Sequence, residues 1–411
     1  LKMIETQSDL MTIVGDSTSI SVLQQANVKK ADLVIAVLHD EHINLLTGIL
    51  AKKLGAKKVI VRVNTMESLS KESWRIYQDL GIDGIVSPED IAAQEIINLL
   101  KQNVATEAHD FAGGKLELLM IKLEPNAKAI GKTLEEVIEN FKHIDFRALA
   151  IHRRQNTFIP KAHDVFQEGD LVYVITKPHA IKELMQLSGK TRFNINNVMI
   201  VGGGRVGKLT AKRLENDLNI KILEMDKERC FELTNFLSDT LVINADARNV
   251  DLLEDEGIKD MDAFIAVTDN TETNILTCLQ ARSFGVKRTI AMVENIDYID
   301  ISQNIGIDTI INKKLIAASY MVRYTLGGNV SSLKCLSGID ADIVEFVVRD
   351  GAAITNKPIN RLEMPEGAVV GGIIRGEDSF IATGNFQIQA EDRVVVLVLP
   401  KTIQEVEKLF R

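Results

Sequence analysis

Apolar positions along the second half of the chain follow two periods in turn. Val198, Met199, Ile200 and Val201 form an unbroken apolar run between Asn197 and a glycine cluster. That pattern suits a strand buried on both faces of a parallel sheet. Residues 206–218 then carry apolar side chains at helical spacing. The same exchange predicts strands at 221–224, 240–244, 263–267, 288–293 and 309–311, with helices at 227–237, 248–256 and 271–284. Strands alternating with helices predict a doubly wound parallel sheet. From about Ile343 the texture changes to short strands at 344–348, 369–374, 380–381 and 394–399, followed by a helix at 403–410. Turn signals separate them at Asp350-Gly351, Pro365-Glu366-Gly367 and Arg375-Gly376-Glu377-Asp378.

The chain is written twice. Asp16, Asp32, Asn44 and Gly55 match Asp246, Asp262, Asn274 and Gly285 at an offset of 230, and Ile35-Ala36-Val37 matches Ile265-Ala266-Val267. Leu80-Gly81-Ile82-Asp83 matches Ile305-Gly306-Ile307-Asp308 at 225. Further on, Arg153 to Ile159 matches Arg375 to Ile381, and Gly169-Asp170-Leu171-Val172 matches Glu391-Asp392-Arg393-Val394, both at 222. Repetition over such a span identifies two copies of one unit, each with a larger α/β part and a smaller strand-rich part. The expected division is 1–110, 115–190, 195–328 and 335–411. The joints, Phe111-Ala112-Gly113-Gly114 and Leu326-Gly327-Gly328, are too short for free tethers. The equivalent of strand 198–201 would lie upstream of residue 1, and the chain begins with Leu. We therefore expect about 34 residues, including the first copy's glycine loop, to be missing from the amino end.

Composition narrows the class. A length of 411 residues with 45% hydrophobic content supports two or three buried cores. No apolar run approaches the ~18–20 residues that cross a bilayer, and no secretory signal is visible. A net charge of -9 argues against nucleic-acid binding. Cys230, Cys278 and Cys335 are far apart and form no CxxC pair, as in a reduced cytosolic protein.

The chemistry concentrates after strand 198–201. Gly202-Gly203-Gly204-Arg205-Val206-Gly207 fits G-x-G-x-x-G. Its first glycine permits a tight turn, its second lets a pyrophosphate approach the backbone, and its third lets helix and strand pack closely. The helix beginning there offers free N–H groups to a phosphate. Glu224, 22 residues past Gly202, stands where a carboxylate accepts ribose hydroxyls and repels a 2′-phosphate. Asp226 is the alternative acid, or else a helix cap. Asp246 and Thr268 follow the next two strands of that site. Asp246 either meets the adenine or ribose edge or caps the helix near Arg248. Arg205 either pairs with phosphate or is an exposed loop arginine.

In the first copy Asp16 matches Asp246, Leu38-His39-Asp40 follows the fourth strand, and Arg62 ends the fifth, where the second copy has Met292. Arg62 either reaches a phosphate, the reading we favour, or extends into solvent. His39-Asp40-Glu41-His42 has metal-ligand spacing, but Asp40 as a cap and Glu41 at the positive helix end account for it better. The run Ile151-His152-Arg153-Arg154 reads as a solvated hairpin. All seven histidines precede residue 180, outside the copy with the complete glycine loop. The second copy's small domain offers no nucleophile–base pair and no metal cluster. A lysine or tyrosine acid stays open. Still, two nucleotide folds, each followed by a strand-rich domain, look like a sensor more than a catalyst. The alternatives are an NAD-dependent oxidoreductase and a structural ring with vestigial sites.

These residues resemble the TrkA-type RCK (KTN) regulators of bacterial Trk potassium uptake. The likeness rests on Val201 to Gly207, Ile222-Leu223-Glu224, Asn244-Ala245-Asp246-Ala247 and Phe264 to Thr268 with Asn274, and it spans essentially the whole chain. It implies tandem Rossmann-like doubly wound parallel sheets (RCK N-type), each followed by a small α+β RCK C-type subdomain. It implies binding of NAD(H) and of ATP or ADP, a tetrameric ring, no enzymatic role, and docking on the cytoplasmic side of a TrkH-type potassium-translocating membrane subunit. By position, one site would use Gly202, Gly203, Gly204, Arg205, Val206, Gly207, Glu224, Asp246 and Thr268. The other would use Asp16, Leu38, His39 and Arg62. Departures from the family pattern are the absent first glycine loop, Ala245 where a glycine often precedes the Asp, and His39 at a usually small position.

Overall fold

Val59, Ile60 and Val61 are fully buried, as a consecutive β-branched run requires in a strand covered on both faces. The computed structural model describes residues 10–102, 107–111, 113–153, 156–189, 194–322, 330–336, 341–399 and 402–411. They fall into two units: residues through Glu89 with 320–322, and the remainder. In the first unit three parallel strands, Leu33–Ala36 (β1), Lys58–Arg62 (β2) and Gly84–Val86 (β3), lie side by side in that order. The helices Glu41–Leu54 and Lys71–Asp79 pack Leu45, Ile49, Trp74 and Tyr77 onto this sheet. Asp40 caps the first of them by accepting the His42 and Ile43 amides, and Gly55 ends it at φ +113°.

The second unit holds three sheets. Strands Glu107–Phe111 (β4), Leu116–Lys122 (β5), Phe146–Arg153 (β6), Asn156–Phe158 (β7) and Leu171–Thr176 (β8) form an antiparallel sheet in the order β4-β5-β8-β6-β7. Strands Asn197–Val201 (β9), Asn219–Glu224 (β10), Thr240–Asn244 (β11), Ala263–Ala266 (β12), Arg288–Met292 (β13) and Thr309–Ile311 (β14) form a parallel sheet in the order β11-β10-β9-β12-β13-β14. Strands Val330–Cys335 (β15), Asp342–Val347 (β16), Ala368–Arg375 (β17), Asp378–Ile381 (β18) and Arg393–Val398 (β19) repeat the small sheet's topology, in the order β15-β16-β19-β17-β18. Strands β4 and β15 begin ahead of the expected starts at 115 and 335 and pair into the small sheets. The joint 326–328 and Arg154 lie outside the described residues.

The repeat holds in contacts as well as in sequence. Asp83 accepts the Val59 amide at 2.7 Å, and Asp308 accepts the Thr289 amide at 2.9 Å. Arg153 grips Asp170 with two 2.7 Å bonds, and Arg375 grips Asp392 with two of the same length. Both aspartates are buried at 1% exposure. The expected solvated hairpin at Ile151-His152-Arg153 is therefore corrected. Ile151 and His152 are buried, and Arg153 closes a bidentate ion pair, because the outward end of β6 lies beside the turn into β8.

The helix Pro88–Gln102 contributes Ala92, Ile96, Leu99 and Leu100 to the core that also holds Val198, Val206 and Leu214. The two small sheets share another core, in which Leu116, Leu149 and Ile175 meet Ile343, Ile374 and Val395. Leu149 and Gly371 occupy matched positions, 222 apart, and face each other there. A Cβ built on Gly371 would lie 3.1 Å from Leu149, and one on Gly372 would lie 2.6 Å from Leu116. The side chains of the first copy fill space that the second leaves open.

Candidate functional site

Parallel strands β10, β9 and β12 run the same way, and β9 lies between the other two. The chain leaves β9 toward β10 and returns on the far side as β12, so a crevice opens above the carboxyl end of β9. A cavity of about 420 Å³ occupies that place. It is lined by Gly202, Gly204, Glu224, Asp246 and Thr268 among others, within the usual size range of ligand pockets.

Each glycine of the loop has its own geometric reason. Gly202 adopts φ +102°, and a Cβ there would sit 2.9 Å from the Thr268 amide nitrogen. A Cβ on Gly203 would lie 2.3 Å from Leu233. Gly207 faces the Gly202 carbonyl oxygen so closely that a Cβ would fall 2.0 Å from it. Gly204 differs: its φ of -61° is ordinary, and a Cβ there would meet nothing within 4 Å. It caps the helix Arg205–Leu214 without any side-chain bond and lines the crevice, which leaves that helix's first amides without a side-chain cap at the crevice edge. Val206 is buried in the core, and Arg205 is exposed at the helix start; neither lines the cavity.

Glu224 ends β10 and is 7% exposed. One carboxylate oxygen accepts the Gly203 amide at 2.7 Å, and the other accepts the Asp226 amide at 2.8 Å. It therefore fixes the glycine loop while its remaining lone pairs line the cleft. Asp226 caps the helix Lys227–Phe236 by accepting the Glu228 and Arg229 amides. Asp246 accepts the Arg248 amide and is held by the Arg248 guanidinium at 2.7 Å. It does not cap the helix Val250–Asp255, since Asn249 does. Arg248's side-chain bond, then its amide, hold the Asp246 carboxyl below the usual carboxylate range.

Thr268 is set by Asn274, which is fully buried. Asn274 accepts the Thr268 amide at 3.0 Å and hydroxyl at 2.6 Å, and donates to the Thr268 and Met292 carbonyls. Asn44 repeats this in the first unit: it accepts the Leu38 amide at 2.7 Å and donates to the Leu38 and Arg62 carbonyls. The backbones of Leu38 and Arg62 are thus brought together there, with the His39 carbonyl bonded to Asn64. Asp16 turns onto Thr18, and Ser17 bonds Thr47 of the helix Glu41–Leu54. Arg62 pairs with the buried carboxylate of Glu89 at 2.8 Å, an ion pair that supplies Glu89 with a counter-charge.

Arg229 and Arg248 went unrecognised in the sequence. Both line the cleft, and Arg229 lies 3.8 Å from Glu224. Their signal was positional: each sits in the first residues after an acid that ends or follows a strand. Asp40 caps its helix as expected, and among the described residues no group of three or more His, Cys, Asp or Glu could hold a metal ion. Cys278 is fully buried and burial pushes its thiol up, while Cys230 is buried beside Glu224. No described helix is long and apolar enough to cross a membrane.

Two α/β nucleotide-type folds, each joined to a small antiparallel sheet, make up a tandem RCK architecture. The crystal structure of the GsuK RCK domain matches it with a TM-score of 0.57 at 18% identity, over 99% of this chain and 87% of that one. The GsuK channel bound to NAD matches with a TM-score of 0.58 at 17% identity, over 99% and 72%. The TrkA-N domain model matches residues 2–88 and 198–313, and the TrkA-C domain model matches 118–189 and 343–411. Trk system potassium uptake protein TrkA homolog 2 of Methanosarcina mazei is 30% identical over 98% of this chain and 91% of its own length. The chain belongs to the TrkA family.

Proposed function

We propose that this chain is the cytosolic, nucleotide-binding regulatory subunit of a potassium-uptake transporter, acting on the inner face of the membrane through a TrkH-type subunit. The observation that carries the reading is the crevice over β9: uncapped helix amides, an open Gly204, and a buried carboxylate at the end of β10. Amides at the helix mouth suit a diphosphate, and Glu224 suits ribose hydroxyls. NAD(H) and ATP or ADP share both groups and would compete for the pocket. The family's potassium-uptake name, and the NAD in a structure of similar fold, support that choice.

Regulation then follows from differential affinity. A hundredfold preference for one assembly shape is worth about 2.7 kcal/mol per site, and several sites in a ring accumulate into a switch. The test is a thermal-shift series with NADH, NAD, ATP, ADP and NADPH on wild type and Glu224→Ala. The adenine ligands without a 2′-phosphate should raise the melting temperature, NADPH should not, and Glu224→Ala should lose the ligand response. Because Glu224 also holds the Gly203 and Asp226 amides, the unliganded variant should itself melt lower. The ligand-induced difference is the quantity to compare. A wild type that responds to none of the five contradicts the reading.

A further inference from the structure

The two small domains build their cores on one frame and fill it differently. Strand register sets Ile121 opposite Val172 and Phe346 opposite Val394, so Ile121 and Phe346 occupy matched positions. The helices Ile181–Leu187 and Ile403–Leu409 close at Ser188 and Phe410, which match as well. In the second copy both places hold rings: Phe346 and Phe410 are fully buried and stack with centroids 4.4 Å apart. In the first copy the same places hold an isoleucine and a serine. Ala129 and Ala148 likewise stand where the second copy has Ile354 and Val370.

Protein interiors are close-packed, and bulk removed from a buried position is recovered only in part by its neighbours. Phe146 and Phe166 are larger than their matches Ala368 and Ile388 and take back some of the volume. A cavity of about 40 Å³ remains, lined by Ile121, Ala129, Ala148, Val174, Leu184 and Ser188 among others. Ser188 is the one polar residue of that lining, and its hydroxyl is already engaged, donating to the Met185 carbonyl at 2.8 Å. The space exceeds the ~10–15 Å³ that one water occupies, but a buried water needs two to four polar partners. An apolar cavity with such walls stays dry and accepts benzene or xenon.

We infer that the first small domain carries a binding site for a small apolar ring, seated where the second copy stacks Phe346 on Phe410. The ligand class is an uncharged, benzene-sized aromatic. A charged or strongly polar molecule would give up its hydration and find nothing to replace it. A flat ring instead gains dispersion contacts from the strand and helix side chains around it, as the Phe346 ring does in the other copy. The site shares no lining residue with the β9 crevice, so it neither rests on nor adds to the nucleotide reading. Its occupation stabilises the first small domain by mass action.

The test uses the full chain, with benzene as the probe. Benzene should shift the methyl resonances of Ile121, Val174 and Leu184 saturably, while those of Val344 and Val396 in the second small domain stay in place. At roughly tenfold excess over its dissociation constant it should raise the melting temperature of wild type by about 2 °C. A variant with Ile121→Phe and Ser188→Phe reproduces the second copy's stacked pair. Folded, as judged by circular dichroism, it should lose the benzene response. Should it fail to fold, the methyl shifts of wild type decide alone. No saturable shift at Ile121 and Leu184, equal shifts in both small domains, or a folded double variant that responds to benzene as wild type does would each overturn the proposal.

Discussion

A methyl group added at Gly204 would enter open space, whereas one at Gly207 would strike the Gly202 carbonyl oxygen. The motif's spacing names three glycines equally, but only contact geometry separates the one that faces the open crevice from those that let the loop close. Glu224 was legible as an acid at the end of a strand. Its two bonds to the amides of Gly203 and Asp226 were not, because they depend on how the loop folds back. Arg248 was overlooked for a similar reason: its partner Asp246 is two residues away, and nothing in the local pattern shows which way either turns. That pair has a pH signature. The Asp246 carboxyl is held low by Arg248, so its contribution to stability is present above the unfolded value of ~3.9 and is lost as pH falls through the folded value. Both side chains are substantially exposed, which keeps the contribution small. By carboxyl NMR titration, Arg248→Ala should return Asp246 toward the ordinary value. An unchanged midpoint would contradict the assignment.

Sheets and helices were the most readable feature, since β9 and β12 are apolar runs of the right length and Asp40, Asp226 and Asn270 cap helices. Strands β4 and β15 were harder, because Glu107 to Phe111 and Val330 to Cys335 alternate weakly and acquire strand character only by pairing with β5 and β16. The matched pairs Arg153–Asp170 and Arg375–Asp392 span 17 residues. The repeat flagged both residues of each pair, while periodicity alone gave no reason to join them. Each aspartate is buried and also accepts a backbone amide, from Gln167 or Gln389, so removing it breaks the bidentate pair and orphans that amide, at a cost of about 2 kcal/mol. Asp392→Ala should lower the urea midpoint accordingly, and Asp170→Ala should do likewise. A loss below about 1 kcal/mol would mean that water replaces the pair.

Over the whole chain the two copies have diverged at the carboxyl ends of their parallel strands and where their small sheets meet. Asn44 and Asn274 hold the same loop in the same way, yet Arg62 engages Glu89 where the second copy has Met292. The small sheets fit by opposing Leu149 to Gly371, a complementarity that the offset makes visible only once both strands are in place. Regulation of an assembly requires that ligand and shape influence each other equally, so everything rests on whether the β9 crevice binds nucleotide through its open glycine. The most direct test is calorimetric titration of NADH and ATP into wild type and Gly204→Ala, with the unliganded melting temperature of each. Wild type should bind, and Gly204→Ala should melt within about a degree of it while binding at least about tenfold more weakly, a difference of about 1.4 kcal/mol. Equal affinity in the two proteins, or no binding by wild type, would contradict the account.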